Sequence, residues 1–227
     1  LRHSLGLPVA SPYRLADLAD DTAALIAALG LESAHVCAAS MGGMVAQHLA
    51  AWHPLRVRSL TLMMTTSGAR RLPQPSLKMR MALLSRPRHP HDPASVIEHL
   101  VRLHGMIGSP AYPMPEEQRR ERIAAWMQRA YRPGAVVRQM AAIAADGDRT
   151  PLLARIAAPT HVIHGAGDPL VPLGCGQDLV RRIRGATLDV VDGMGHDLPE
   201  PLWPRFVAGI AGAAARAQHV DTTVSRG

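Results

Sequence analysis

The residues of this chain best suited to chemistry are a serine, an aspartate and a histidine, each following a short apolar run. The run Ala34-His35-Val36-Cys37-Ala38-Ala39 stops abruptly at Ser40, and a helix-like segment, Met44 to Trp52, begins almost at once. That pattern predicts strand, sharp turn and helix. Ser40 stands at the apex, with a strained backbone and an exposed hydroxyl, as a nucleophile must. Ala38 and Gly42 lie two residues either side, where the folded chain leaves little room for larger side chains. A helix start at this point also favours developing negative charge.

A serine hydroxyl is a weak nucleophile near neutral pH and needs a base that is itself oriented by an acid. Downstream, Thr160 to Ile163 reads as a short buried strand, and the Gly-rich turn after it reaches Asp168. Ala186 to Asp192 reads as the next strand, followed by Gly193-Met194-Gly195-His196. In a parallel sheet all three loops open on the same edge, so Ser40, Asp168 and His196 are expected to converge. Each has a plainer alternative. Asp168 could serve only as a turn residue. Asp146 and Asp148 are rival acids, although helix capping is their simpler role. His164 is expected to be structural, Asp197 to be a solvated loop residue, and the remaining histidines form no metal-ligand constellation.

The segments Ala34 to Gln47, Ala158 to Pro172 and Val191 to Pro199 resemble the α/β-hydrolase superfamily. The nearest branch is the serine esterases that include aclacinomycin methylesterase-like enzymes, with proline iminopeptidases as wider relatives. Tyr13 to Asp21 resembles the helix that precedes the nucleophile strand in that family. The resemblance implies Ser40 as nucleophile, His196 as general base and acid, Asp168 as orienting carboxylate, and the Met41 amide as an oxyanion donor. It implies a carboxylic ester hydrolase acting on a small-molecule substrate, with neither cofactor nor metal. Serine at position 40 argues against the branches that attack through an aspartate. The family's earlier strands, and the His-Gly loop that supplies a second oxyanion amide, have no counterpart before Ser40. Leu1 to Pro8 resembles a diverged remnant of the loop that closes the family's fourth strand, matching mainly at Gly6 and Leu7. The alternative is therefore a non-catalytic small-molecule binder or inactive fragment lacking that second donor.

The elements that must position these residues alternate strand and helix, which predicts an α/β fold with a mostly parallel sheet. Strands are expected near 34–39, 57–64, 160–163 and 186–191. The nucleophile strand is then at the sheet edge, where self-association through the exposed edge could follow. Apolar residues from Leu15 to Leu29 recur at helical spacing, and Gly30 stops that helix. Three parts are expected: 1–68 and 150–227 as core, and 69–149 as a helical cap broken by prolines, with helices near 76–84, 93–105, 116–130 and 133–145. Methionines in that cap are read as helix-core residues or an adaptable lining. A last helix is expected from Pro201 to Ala217, followed by a disordered tail.

The 47% hydrophobic content supports a sizeable core, while aromatic residues make up only 3%, so aliphatic residues and methionine must fill it. A formal charge of +7 raises the question of nucleic acid. Dispersed arginines, a single lysine at Lys78 and no aromatic-basic strip exclude it from the expectation. No apolar run spans a membrane. Cys37 and Cys175 form no disulfide framework and are read as small core residues. A cytoplasmic location is the default expectation.

Overall fold

The computed structural model describes residues 9–224. In chain order its elements are α1 (Leu15–Ala28), β1 (Ala34–Ala39), α2 (Met41–Trp52), β2 (Val57–Met63), α3 (Leu77–Leu84), α4 (Pro93–Ile107), α5 (Glu116–Ala130), α6 (Pro133–Asp146), α7 (Thr150–Leu153), β3 (Thr160–Gly165), α8 (Gly174–Arg182), β4 (Thr187–Val191) and α9 (Trp203–Val224). The strands form one parallel four-stranded sheet in the order β1-β2-β3-β4, with β1 at one edge. The expected α/β class and all four strands are therefore present.

Alternation along the strands divides the core between the two faces of the sheet. Leu60 and Leu62 of β2 and Val162 of β3 join Leu49 and Ala50 of α2, Ala19 and Ala23 of α1, Leu179 of α8 and Ile183 just after it. Met63 and Ile163 are offset by one residue and join Val191, Met194, Leu202 and Phe206 on the α9 side. Parallel pairing has a functional consequence. The carboxyl ends of all four strands lie along one edge, so the loops after β1, β2, β3 and β4 share a single neighbourhood.

Between β2 and β3 the regular elements of the described chain are all helices, α3 to α7. Ser76 caps α3 by accepting from the Met79 amide at 3.2 Å, and Asp92 caps α4 by accepting from Ala94 and Ser95. The two ends of α3–α6 meet. The Arg149 amide donates to the Ser67 carbonyl at 2.8 Å, and a Cβ added at Gly68 would stand 2.2 Å from the Gly147 carbonyl. Below this junction the Arg149 side chain is almost fully buried. Its guanidinium donates to Asp146, to Gln47 at 3.2 Å and to the Thr66 carbonyl at 2.9 Å. Asp146 also binds His48 Nε2 at 2.8 Å. A buried ionic network thus ties the end of α6 to the helix that follows β1.

Several expectations change. The last helix runs on to Val224 instead of ending at Ala217, because no glycine or proline intervenes to stop it. Residues 225–227, like Leu1 to Pro8, lie outside the described part. Cys37 is exposed, since it alternates outward on an edge strand, whereas Cys175 is buried as expected. Of the six methionines in 69–149, Met79 is buried, Met114 and Met127 are half-buried and Met81, Met106 and Met140 are exposed, so most are not core residues. No helix among the described residues is long and apolar enough to cross a membrane.

Candidate active site

Ser40 joins β1 directly to α2 with φ 51° and ψ −121°, a backbone conformation that costs a side-chain-bearing residue about 1–3 kcal/mol. The surroundings over-determine it. The Ser40 amide donates to the Met63 carbonyl at 3.0 Å, and the Ser40 carbonyl accepts from the Met44 amide at 3.2 Å and from the Thr65 hydroxyl at 2.7 Å. Thr65 is fully buried and reaches this position after Met64, which also has positive φ. The close approach that demands glycine is therefore one residue later than expected. A Cβ at Gly43 would fall 2.7 Å from Thr65 Cγ2, whereas one at Gly42 would meet only Ala38 Cβ at 3.8 Å. Met41 is the first residue of α2, where backbone amides have no partner within the helix.

The turn after β3 holds Asp168 with its carboxylate fully buried. Its Oδ1 accepts two backbone amides, Leu170 and Val171, at 2.8 Å each. Its Oδ2 lies 2.7 Å from His196 Nδ1, and His196 Nε2 lies 3.0 Å from Ser40 Oγ. A carboxylate can only accept, so Nδ1 carries the ring proton and Nε2 is left to accept from the serine hydroxyl. The three side chains that the sequence singled out are thus brought into one hydrogen-bonded row, from three loops along the same sheet edge.

His164 sits at the end of β3 and is structural, as expected. Its ring is buried, Nε2 donates to the Val171 carbonyl at 2.8 Å, and a Cβ at Gly176 would collide with the ring. Burial pushes its pKa down, opposed by the Val171 carbonyl and Asp168, so the neutral ring is favoured. Of the rival acids, Asp148 accepts from the Thr150 amide at 2.9 Å from one residue ahead of the α7 N-cap, Arg149. Asp146 does not cap. It belongs to the Arg149 network, because α6 runs on to include it. Asp197 is not a free loop residue either. It accepts the hydroxyl of Ser109, a residue no local pattern had marked. Thr65 and Gly43 were likewise missed, the visible trace being a second glycine beside the expected one.

The sequence model for the alpha/beta hydrolase fold matches residues 3–200. The chain is 29% identical over 177 residues to a 2-hydroxy-6-oxononadienedioate/2-hydroxy-6-oxononatrienedioate hydrolase of Paraburkholderia xenovorans, covering 76% of this chain and 58% of that protein. It is 28% identical over 219 residues to a rhodomycin D methylesterase of Streptomyces, covering 84% of this chain and 71% of the relative. The chain thus spans less than two thirds of the first of these. Among solved structures, a hydrolase from Pseudomonas aeruginosa superposes with a TM-score of 0.65 at 25% identity, over 90% of this chain and 72% of its own.

Proposed function

The chain belongs to the α/β-hydrolase fold family, and from that premise we propose that it is a serine hydrolase of carboxylic esters. The observation that carries this reading is the unbroken row from Asp168 through His196 to Ser40, with separations of 2.7 and 3.0 Å. A methylesterase among the relatives supports the choice of ester.

In this reading Ser40 Oγ attacks the ester carbonyl while His196 Nε2 takes its proton. Asp168 holds Nδ1–H and stabilises the imidazolium that forms. The tetrahedral oxyanion faces the start of α2, where the Met41 amide donates to it. His196 then passes its proton to the departing alcohol, leaving an acyl group on Ser40. Water, deprotonated by the same nitrogen, releases the carboxylic acid and restores the serine. The helices between β2 and β3, within 69–149, act as a cap that keeps bulk water from the acyl group and shapes its pocket.

The deciding experiment is intact-mass analysis after exposure to a fluorophosphonate, with Ser40→Ala as control. The expected result is one adduct per chain, absent in the variant. A folded parent protein that gains no adduct refutes the reading and leaves a non-catalytic binder.

A further inference from the structure

We propose that Ser109 and Asp197 are positioning residues for His196, acting through a loop of the helical segment clamped onto the histidine loop. This rests on the hydrolase reading above. The loop joining α4 to α5 lies directly against residues 193–197. The His196 amide donates to the Ile107 carbonyl at 2.7 Å, and the Ala111 amide donates to the Gly193 carbonyl at 3.1 Å. Between these two bonds, the buried Ser109 hydroxyl accepts from the Gly195 amide at 2.8 Å and gives its own proton to Asp197. One hydroxyl therefore bridges the residues immediately before and after His196.

The glycines of Gly193-Met194-Gly195 acquire a physical reason here. A Cβ at Gly195 would lie 2.4 Å from the Gly108 carbonyl, and one at Gly193 would lie 2.3 Å from Ala111 Cβ. Neither glycine is set aside for Ser40 or Asp168. Both let a remote loop come close enough to hydrogen-bond the histidine's backbone. Asp168 fixes Nδ1 of the ring, while the clamp fixes the peptide that carries it. With the clamp loosened, Nε2 swings relative to Ser40 although every reacting side chain remains. A misplacement of this kind, well below the size of a side chain, slows chemistry without changing which groups perform it.

The test compares Ser109→Ala, Asp197→Ala and Asp197→Asn with the parent protein, using two readouts. One is the rate of fluorophosphonate labelling. The other is the downfield proton resonance of His196 Nδ1–H. Ser109→Ala and Asp197→Ala are expected to label about ten- to a hundredfold more slowly, with the resonance shifted or broadened. Asp197→Asn keeps an acceptor oxygen and is expected to recover most of the rate. If Ser109→Ala does not fold, the two Asp197 variants carry the comparison. Folded alanine variants that label at the parental rate with an unshifted resonance overturn the clamp alone. A parent that does not label overturns the hydrolase reading. The resonance then decides the clamp by itself, a shift supporting it and an unchanged signal refuting it.

Discussion

Replacing Asp168 by asparagine separates orientation of the histidine from its mere presence. Two loop amides hold Oδ1 at 2.8 Å each, so the asparagine oxygen belongs there and its NH₂ group faces His196 Nδ1. That nitrogen must then accept, the ring proton moves to Nε2, and the histidine can no longer receive a proton from Ser40. The productive arrangement requires the amide to flip, which sets its NH₂ against two backbone donors. Leaving two buried donors unpaired costs about 2–6 kcal/mol in total, from about 1–3 kcal/mol each. At about 1.4 kcal/mol per decade, the populated productive form falls by roughly 30- to 20,000-fold, which sets the expected loss of rate. The assay is fluorophosphonate labelling and hydrolysis of a p-nitrophenyl ester, with a thermal melt to establish folding. A folded Asp168→Asn protein that keeps a rate within about fivefold of the parent, just under about 1 kcal/mol, refutes the tautomer argument.

Three further outcomes follow from the packing. Gly43→Ala is expected to lose about 1–3 kcal/mol through overpacking against Thr65 and to label more slowly. Gly42→Ala is expected to shift stability by less than about 1 kcal/mol, and urea unfolding of the pair distinguishes them. Arg149→Met strands the Asp146 carboxylate in the interior and is expected to cost about 3–5 kcal/mol, part of which returns when Asp146→Asn is added. Stability is also expected to fall on acidification. Burial lowers the pKa of His164, so the unfolded chain takes up its proton first. Its contribution is complete above the ordinary imidazole pKa of 6.5 and is lost as pH falls through the folded value. Asp146 follows at lower pH. Burial raises its pKa, but hydrogen bonds from His48 and Arg149 outweigh that and hold it below 3.8, so its contribution disappears last. Melting temperatures measured from pH 7 to pH 5 check the sign, each 1 kcal/mol corresponding to about 2–4 °C; a flat profile contradicts it.

Ser40, Asp168 and His196 were legible because each ends an apolar run whose length and bounding glycines are local features. The same locality made the four strands and the helices between β2 and β3 readable to within a residue or two. What escaped was carried by partners distant in sequence. Thr65 supports Ser40 from just past the end of the neighbouring strand, 25 positions on, Ser109 meets Asp197 across 88 positions, and His48 meets Asp146 across 98. Nothing in the spacing around Gly43 or Gly195 says which backbone or side chain will press against it. Cys37 was misread for a related reason. Alternation along β1 is visible in the sequence, but which face it leaves open depends on the neighbouring elements.

The junction at Ser67 and Arg149 has an implication for how such proteins diversify. The helical excursion leaves the sheet and returns to it within a single hydrogen bond, so the paired strands on either side register nothing of its length. Closing a loop twice as long costs only about 0.6 kcal/mol more. A helical segment of different length can therefore be joined at this junction while the paired strands beneath stay put. The limit on exchange is set by the contacts that stitch the excursion to the framework, among them the Asp146–His48 bond, the Arg122–Glu200 ion pair and the loop against Gly195. A transplanted segment that reproduces those stitches should leave the row of three side chains undisturbed, whatever shape it gives the rest.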